Sequence, residues 1–219
     1  ETGRKQSLLI IFQAMDAGGK DGTIKHVMRG INPQGCVVTC FKAPTAEELA
    51  HDFLWRVHQR APAKGYIGIF NRSHYEDVLI TRVHRWIDEA QAKRRFRQIN
   101  DFEELLADNG TVIIKFFLNI SKKEQRERLQ ERLNDAAKWW KFDPNDLKER
   151  EHWNDYMHMY EDVFCHCNKK HAPWFIIPSN KKWFRNLAVA KIIVETLEGM
   201  NMKYPQPSFD INAIPEIPK

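Results

Sequence analysis

Residues 14 to 23 read AMDAGGKDGT, a run that holds the residue types needed to grip a phosphate polyanion. Gly18, Gly19 and Gly22 let successive backbone N–H groups turn toward one anion, together with those of Ala17 and Asp21, and Lys20 sets an ammonium beside them. An apolar run, SLLIIF, precedes it and a helical pattern, KDGTIKHVMRGI, follows, which is the strand-to-helix context a phosphate loop requires. The motif is degenerate: Ala14 stands at the first glycine of GxxxxGK[ST], Asp21 follows the lysine, and the hydroxyl is delayed to Thr23. The plainer reading is a glycine-rich turn with an incidental lysine. Asp16 and Asp21 would repel a polyanion unless a divalent cation lay between, so the loop implies Mg²⁺, with Mn²⁺ as a substitute. Asp16, inside the loop, is the stronger ligand candidate, because Asp21 also suits the first turn of a helix.

A second group of candidates follows the third apolar run, in FNRSHYEDV. Asn71 and Arg72 fall at the carboxyl edge of the sheet, where the ligands of doubly wound sheets gather, and a guanidinium there can clamp a phosphate with two hydrogen bonds. Asp77 or Glu76 could hold metal or orient an acceptor, or simply begin a helix; Asp77 is taken with Asp16 as the metal pair. A third group lies in KKEQRERLQERLNDAAKWWKF, where Arg126, Arg128, Arg132, Lys138 and Lys141 could close on phosphates, since phosphoryl transfer depends on positioning and charge stabilisation. Surface pairing with Glu124 and Glu131 is the bland alternative. The basic run AKRRFRQIN, residues 92 to 100, is either a polyanion path or a solvated face.

These groups need a scaffold, and the apolar runs supply one. SLLIIFQ (7–13), GCVVTCF (35–41), YIGIF (66–70), TVIIKFFLNI (111–120) and PWFIIPS (173–179) are short and continuous, and they alternate with helical stretches. That pattern predicts an α/β fold: a five-stranded parallel sheet with helices on both faces. Thr45 and Glu48 form a capping box that predicts a helix through TAEELAHDFLWRVHQR, and residues 75 to 108 read as one long helical region. Residues 122 to about 170 exceed what a crossover needs and break at Asp143-Pro144, which predicts a projecting helical hairpin acting as a lid. Residues from about 203 to 219, with four of the ten prolines, read as an extended surface tail on a single domain spanning 1–219.

Composition narrows the functional classes. Lys+Arg 34 against Asp+Glu 29 gives +5, too balanced to argue by itself for nucleic acid. No long uncharged apolar run is present, since SLLIIF ends in AMDAGGK and VIIKFFLNI contains Lys115, so no membrane span is expected. Arg4 and Lys5 precede only a short apolar run, which does not make a signal peptide. The four cysteines lack structural-zinc spacing and read as reduced thiols, giving a cytoplasmic expectation.

Four stretches in order, QAMDAGGKDGTIKHV, FKAPTAEELAHDFLWR, GIFNRSHYEDVL and KWWKFDPNDLKEREHWNDY, resemble the successive motifs of family-2 polyphosphate kinases, and the resemblance runs from about Leu8 to Glu198. It implies a P-loop kinase fold similar to thymidylate kinase, with a helical lid, that transfers phosphate between inorganic polyphosphate and adenine or guanine nucleotides using Mg²⁺. On this resemblance Asp16 binds metal, Lys20 contacts the transferring phosphates, Arg72 clamps them, and the lid cations, Arg128 and Arg132 foremost, close over the chain. Asn71, counted with the phosphate-binding residues, stands where many members carry aspartate, and Asn71 with HYEDV is similar to the branch acting on both AMP and ADP. A homo-oligomer is implied by the family alone. Two rivals stay open: an ATP-dependent nucleoside monophosphate kinase using the same loop and lid, and a non-catalytic polyanion-binding module, which would gain nothing from Asp16 and Asp21.

Overall fold

The computed structural model describes residues 5–204 and residue 209. Its centre is a parallel five-stranded sheet in the order β2-β3-β1-β4-β5, with β1 Ser7–Gln13, β2 Cys36–Cys40, β3 Ile67–Asn71, β4 Thr111–Asn119 and β5 Trp174–Pro178. All seven residues of β1 are buried, as an unbroken apolar run between two covered faces requires. Alternate residues serve opposite layers. Leu9 and Ile11 join Ile113, Phe117 and Val163 on one face, while Leu8, Ile10 and Phe12 join Ile114, Phe116 and Val189 on the other. Each such side chain removed from water contributes about 1.5–3 kcal/mol. β2 lies at the sheet edge, which leaves Val37 and Val38 about half exposed although their run reads as fully buried.

The helices are α1 Lys20–Val27, α2 Ala46–Leu49, α3 Trp55–His58, α4 Ile80–Val83, α5 Glu89–Asp108, α6 Lys122–Asn134, α7 Asn145–Glu151, α8 Trp153–Cys167 and α9 Lys182–Gly199. Three regions depart from the sequence expectation. The Thr45–Glu48 capping box forms with both its hydrogen bonds, but α2 ends after one turn; the Asp52 carboxylate accepts from Leu54 N–H at 3.0 Å and the chain restarts as α3. The region 75–108 is likewise divided. A 3-10 turn over His74–Val78 leads into α4, Arg85 takes a left-handed φ of 57°, and Asp88 caps α5 by accepting from Gln91 N–H at 2.6 Å.

The third departure concerns the expected lid. Trp153, Tyr156, Tyr160, Val163 and Cys167 of α8 are buried in the layer beside α5, so the second half of the segment 122–170 is core. Only the stretch from α6 through a 3-10 turn at Ala136–Lys141 to α7 is predominantly polar and exposed. The expected tail lies almost wholly outside the described residues.

Lys115, which interrupts the apolar run of β4, is fully buried rather than tolerated at a surface. Its ammonium donates to Glu103 Oε2 at 2.5 Å, Tyr75 Oη at 2.7 Å and Cys167 O at 2.9 Å, satisfying all three N–H groups. Tyr75 and His74 meet the other Glu103 oxygen at 2.8 and 3.3 Å. Glu103 is held below the usual carboxylate range because Lys115 and His74 outweigh its burial, while burial lowers Lys115. Removing one partner strands the other: Lys115→Met should cost about 3–5 kcal/mol, and adding Glu103→Leu should restore most of it. Urea unfolding measures this, and a single-variant loss under about 1 kcal/mol would show that Glu103 finds another partner.

Candidate active site

The turn from β1 into α1 is built by backbone geometry. Gly18 N–H donates to Met15 O at 2.9 Å, and a Cβ on Gly18 would fall 2.5 Å from that of Ala14 and 2.7 Å from Met15 O, so only glycine closes the turn. Ala17 and Gly19 are left-handed, at φ 58° and 98°. Lys20 begins α1 and folds back so that its ammonium donates to Ala14 O at 3.2 Å. Burial, then the neighbouring Arg72, lower its pKa, while Asp16, Glu76 and Asp21 work the other way.

β3 delivers the partner of this loop. Arg72 has φ 63°, its N–H donates to Phe12 O at 3.0 Å, and its Nη2 donates to Asp16 Oδ1 at 2.6 Å. Glu76, then Asp16, hold the guanidinium firmly protonated. Next to it Asn71 Nδ2 donates to Asp21 Oδ1 at 2.6 Å, and buried Gln13 donates to Glu76 Oε1 at 3.1 Å. Asp16, Lys20, Asp21, Asn71, Arg72 and Glu76 are therefore one linked constellation at the carboxyl edge of the sheet. Ala17, Gly18, Gly19 and Gly22 supply its backbone.

Other expected residues are placed differently. Thr23 is fully buried and its hydroxyl donates to Gly19 O at 2.9 Å, so it closes the first helical turn instead of facing a ligand. Asp77 sits between Arg56 and Arg95, each 3.9 Å away, and Arg95 also donates to its backbone carbonyl at 2.6 Å. Glu76, not Asp77, acts with Asp16 on the Arg72 guanidinium. Arg128 is buried: Nη1 donates to Ala17 O and Gly18 O at 3.1 Å each, Nη2 to Ser179 O at 2.6 Å, and Nε to Glu124 at 2.8 Å. It braces the loop through its carbonyls, and is not an exposed lid cation.

The outer cations are engaged within their own segment, Lys138 in the surface pairing with Glu131 that the plainer reading expects. Arg132 pairs with Asp146 at 3.2 Å and donates to Lys141 O at 3.0 Å. Lys138 reaches Glu131 at 2.6 Å and Asp135 at 3.0 Å, Lys141 lies over the Trp140 ring at 4.8 Å, and Arg126 is exposed. Among the described residues, no three His, Cys, Asp or Glu side chains converge as a metal-binding group. Three neighbours of the loop were not among the expected residues, although Gln125 and Asp146 lie within quoted stretches. Buried Gln125 donates to Asp16 O at 2.9 Å and accepts from Arg150 at 2.7 Å; Asp146 is pushed up to about 6 by burial and by the nearby Asp16; Arg185 lies against Gly19. The cysteines among the described residues are free, and no helix there is long and apolar enough to cross a membrane.

A family model described as polyphosphate kinase 2 matches residues 1–205. The chain belongs to the polyphosphate kinase 2 family. An AMP/ADP-polyphosphate phosphotransferase from Meiothermus ruber is 54% identical over 203 residues, covering 93% of this chain and 76% of that protein. An ADP-polyphosphate phosphotransferase from Rhodopseudomonas palustris is 47% identical over 214 residues, covering 92% and 74%. The crystal structure of polyphosphate kinase 2 from Arthrobacter aurescens TC1 superposes with a TM-score of 0.94 at 48% identity, over 97% of this chain and 75% of that one. The sheet, loop and helical layers are thus the P-loop kinase fold of this family.

Asp77 gives a pH signature to its placement. Burial pushes its pKa up to about 6, and Arg56 and Arg95 offset this only in part. From about pH 4 to about pH 6 the folded chain keeps a proton that the unfolded chain has released, so this carboxyl lowers stability as pH rises through that window. Thermal melts of wild type and Asp77→Asn should diverge across the window in favour of the variant and run parallel above it. A difference independent of pH would mean that Asp77 is solvated like an ordinary carboxylate.

Proposed function

We propose that this chain is a magnesium-dependent phosphotransferase that moves the terminal phosphate of inorganic polyphosphate onto AMP or ADP, and in reverse builds polyphosphate from ATP. The observation that carries the reading is the Asp16–Arg72 contact at 2.6 Å, which joins the phosphate loop to the β3 motif in one cleft beside Lys20. Its relatives' names supply the donor and acceptors. In this reading the backbone N–H groups of Ala17 and of residues 19–22, together with the Lys20 ammonium, take the donor's terminal phosphates, the positive end of α1 adding to their charge. Arg72, oriented by Asp16, bridges the transferring phosphoryl and the acceptor phosphate. The acceptor is already anionic, so no strong base is required; what matters is in-line positioning and suppression of repulsion between two polyanions.

The donor set fits Mg²⁺. Arg72 and Gln13 engage Oδ1 of Asp16 and Oε1 of Glu76, which leaves the second oxygen of each carboxylate for a hard cation. Mg²⁺ binds through one or two carboxylates plus phosphate oxygens and waters, so a three-residue cage is not needed. When bound, it supplies charge neutralisation on the phosphate oxygens. Arg132, Arg126, Lys138 and Lys141 form the lid surface, and Arg132 would exchange Asp146 for phosphate as it closes. Adenine and guanine nucleotides are both acceptors in this reading, and the free thiols suit the cytoplasm.

Purified protein given polyphosphate, Mg²⁺ and either AMP, ADP or GDP should form the next higher nucleotide with no ATP present, as resolved by chromatography, and chelation with EDTA should abolish the product. Lys20→Ala and Asp16→Asn should each lower kcat by about 100-fold or more with the fold intact by circular dichroism. Product formed from ATP and AMP but not from polyphosphate would overturn the donor assignment in favour of a nucleoside monophosphate kinase.

A further inference from the structure

The first turn of α9 brings a second arginine to the phosphate loop. Arg185 is 4% exposed, and its guanidinium lies over the start of α1: a side chain at Gly19 would collide with Nη1, and Nη2 is 3.8 Å from where a Cβ of Gly22 would be. Its Nε and Nη2 donate at 3.2 and 3.0 Å to the amide oxygen of the adjacent Asn186, a neutral partner. No carboxylate among the described residues forms an ion pair with it. The charged group that acts on it is Arg128, another cation, and burial together with Arg128 brings its pKa down to about 10.

This arrangement is electrostatically incomplete. The residues beside it open α1, the positive end of a helix dipole, where a cation is disfavoured. Arg128, braced on Ala17 O and Gly18 O, has Glu124 as counter-charge at 2.8 Å, but Arg185 has no equivalent. A guanidinium does not shed its proton at neutral pH, and burying an uncompensated charge lowers stability. The missing negative charge has one natural source, the polyanion held by the adjacent loop.

We propose that Arg185 is a binding residue for the donor polyphosphate, kept buried and without a carboxylate so that the bound chain supplies its counter-charge. The inference rests on the reading that the loop takes polyphosphate. It separates Arg185 from the acceptor side of the cleft, where Arg72, Asn71 and Glu76 come from β3 and the turn after it. It also predicts a trade between stability and affinity that a packing residue would not show: removing the charge relieves the free protein and weakens the ligand.

The test uses Arg185→Met, which keeps bulk without charge, with Arg185→Lys as the conservative variant. Thermal melts are run with and without tripolyphosphate, followed by KM for polyphosphate and for ADP. The methionine variant should melt at or above wild type when free, lose most of the tripolyphosphate-induced rise, and show a KM for polyphosphate raised about tenfold or more, as loss of a charge-assisted contact implies. KM for ADP should stay within about twofold, and lysine should restore part of the polyphosphate affinity. Unchanged tripolyphosphate binding in the methionine variant overturns the proposal and leaves Arg185 a packing residue. Should that variant fail to fold, Arg185→Lys decides: a weakened tripolyphosphate response at unchanged ADP KM supports the proposal, and a wild-type response refutes it. Lys20→Ala run in parallel separates the two readings, because its retention of full tripolyphosphate binding would remove polyphosphate from the loop itself.

Discussion

The pairing of Arg72 with Asp16 at 2.6 Å is the contact on which the rest of the site depends. It joins two segments of opposite chemistry, a loop that must attract phosphate and a strand end that must aim a cation, and both are held in left-handed backbone at Ala17 and Arg72. Such conformations persist when their surroundings over-determine them. Here the restraints are many: Arg128 on the loop carbonyls, Gln125 on Asp16 O, Phe12 O on the Arg72 N–H. The charges at the mouth are thereby fixed before any ligand arrives, which is how a site for two polyanions avoids reorganising during transfer.

Beneath the mouth, the buried Lys115–Glu103 pair holds the segment that follows Arg72. His74 and Tyr75 both bond Glu103, so the turn that presents Glu76 is anchored through α5 and β4 to the centre of the sheet. A polar network in a core is tolerable where its donors are satisfied, as the Lys115 ammonium and the Tyr75 hydroxyl are, although His74 Nδ1 has no hydrogen-bond partner. The consequence is an anchored turn beside a more exposed helical segment, which reaches the loop through Gln125.

Much of this was legible in the residues. Continuous apolar runs announced the five strands, and the glycines before Lys20 announced the loop, because both signals are local. Asp16, Lys20, Asn71 and Arg72 came from the ends of those runs. Asp77 lies between Arg56 and Arg95 whereas Glu76 meets Gln13, a difference set by partners far away in sequence that nothing in HYEDV reveals. Arg128 read as a lid cation because its burial depends on carbonyls from residues 17, 18 and 179, far away in sequence. The burial of Trp153, Tyr156, Tyr160 and Val163 makes α8 a core helix, a role masked by the charged stretch before it. Arg185 sits in no motif; its meaning comes only from the missing counter-charge around it.

If Asp16 and Arg72 act as one unit, their effects on catalysis cannot be independent. A double-mutant cycle with Asp16→Asn and Arg72→Met, read as kcat/KM for ATP formation from ADP and polyphosphate, measures the coupling directly. The account predicts that the double variant is little worse than the poorer single one, with a coupling energy of about 1–3 kcal/mol. Costs that simply add would contradict it, and would make the 2.6 Å contact incidental to how the cleft works.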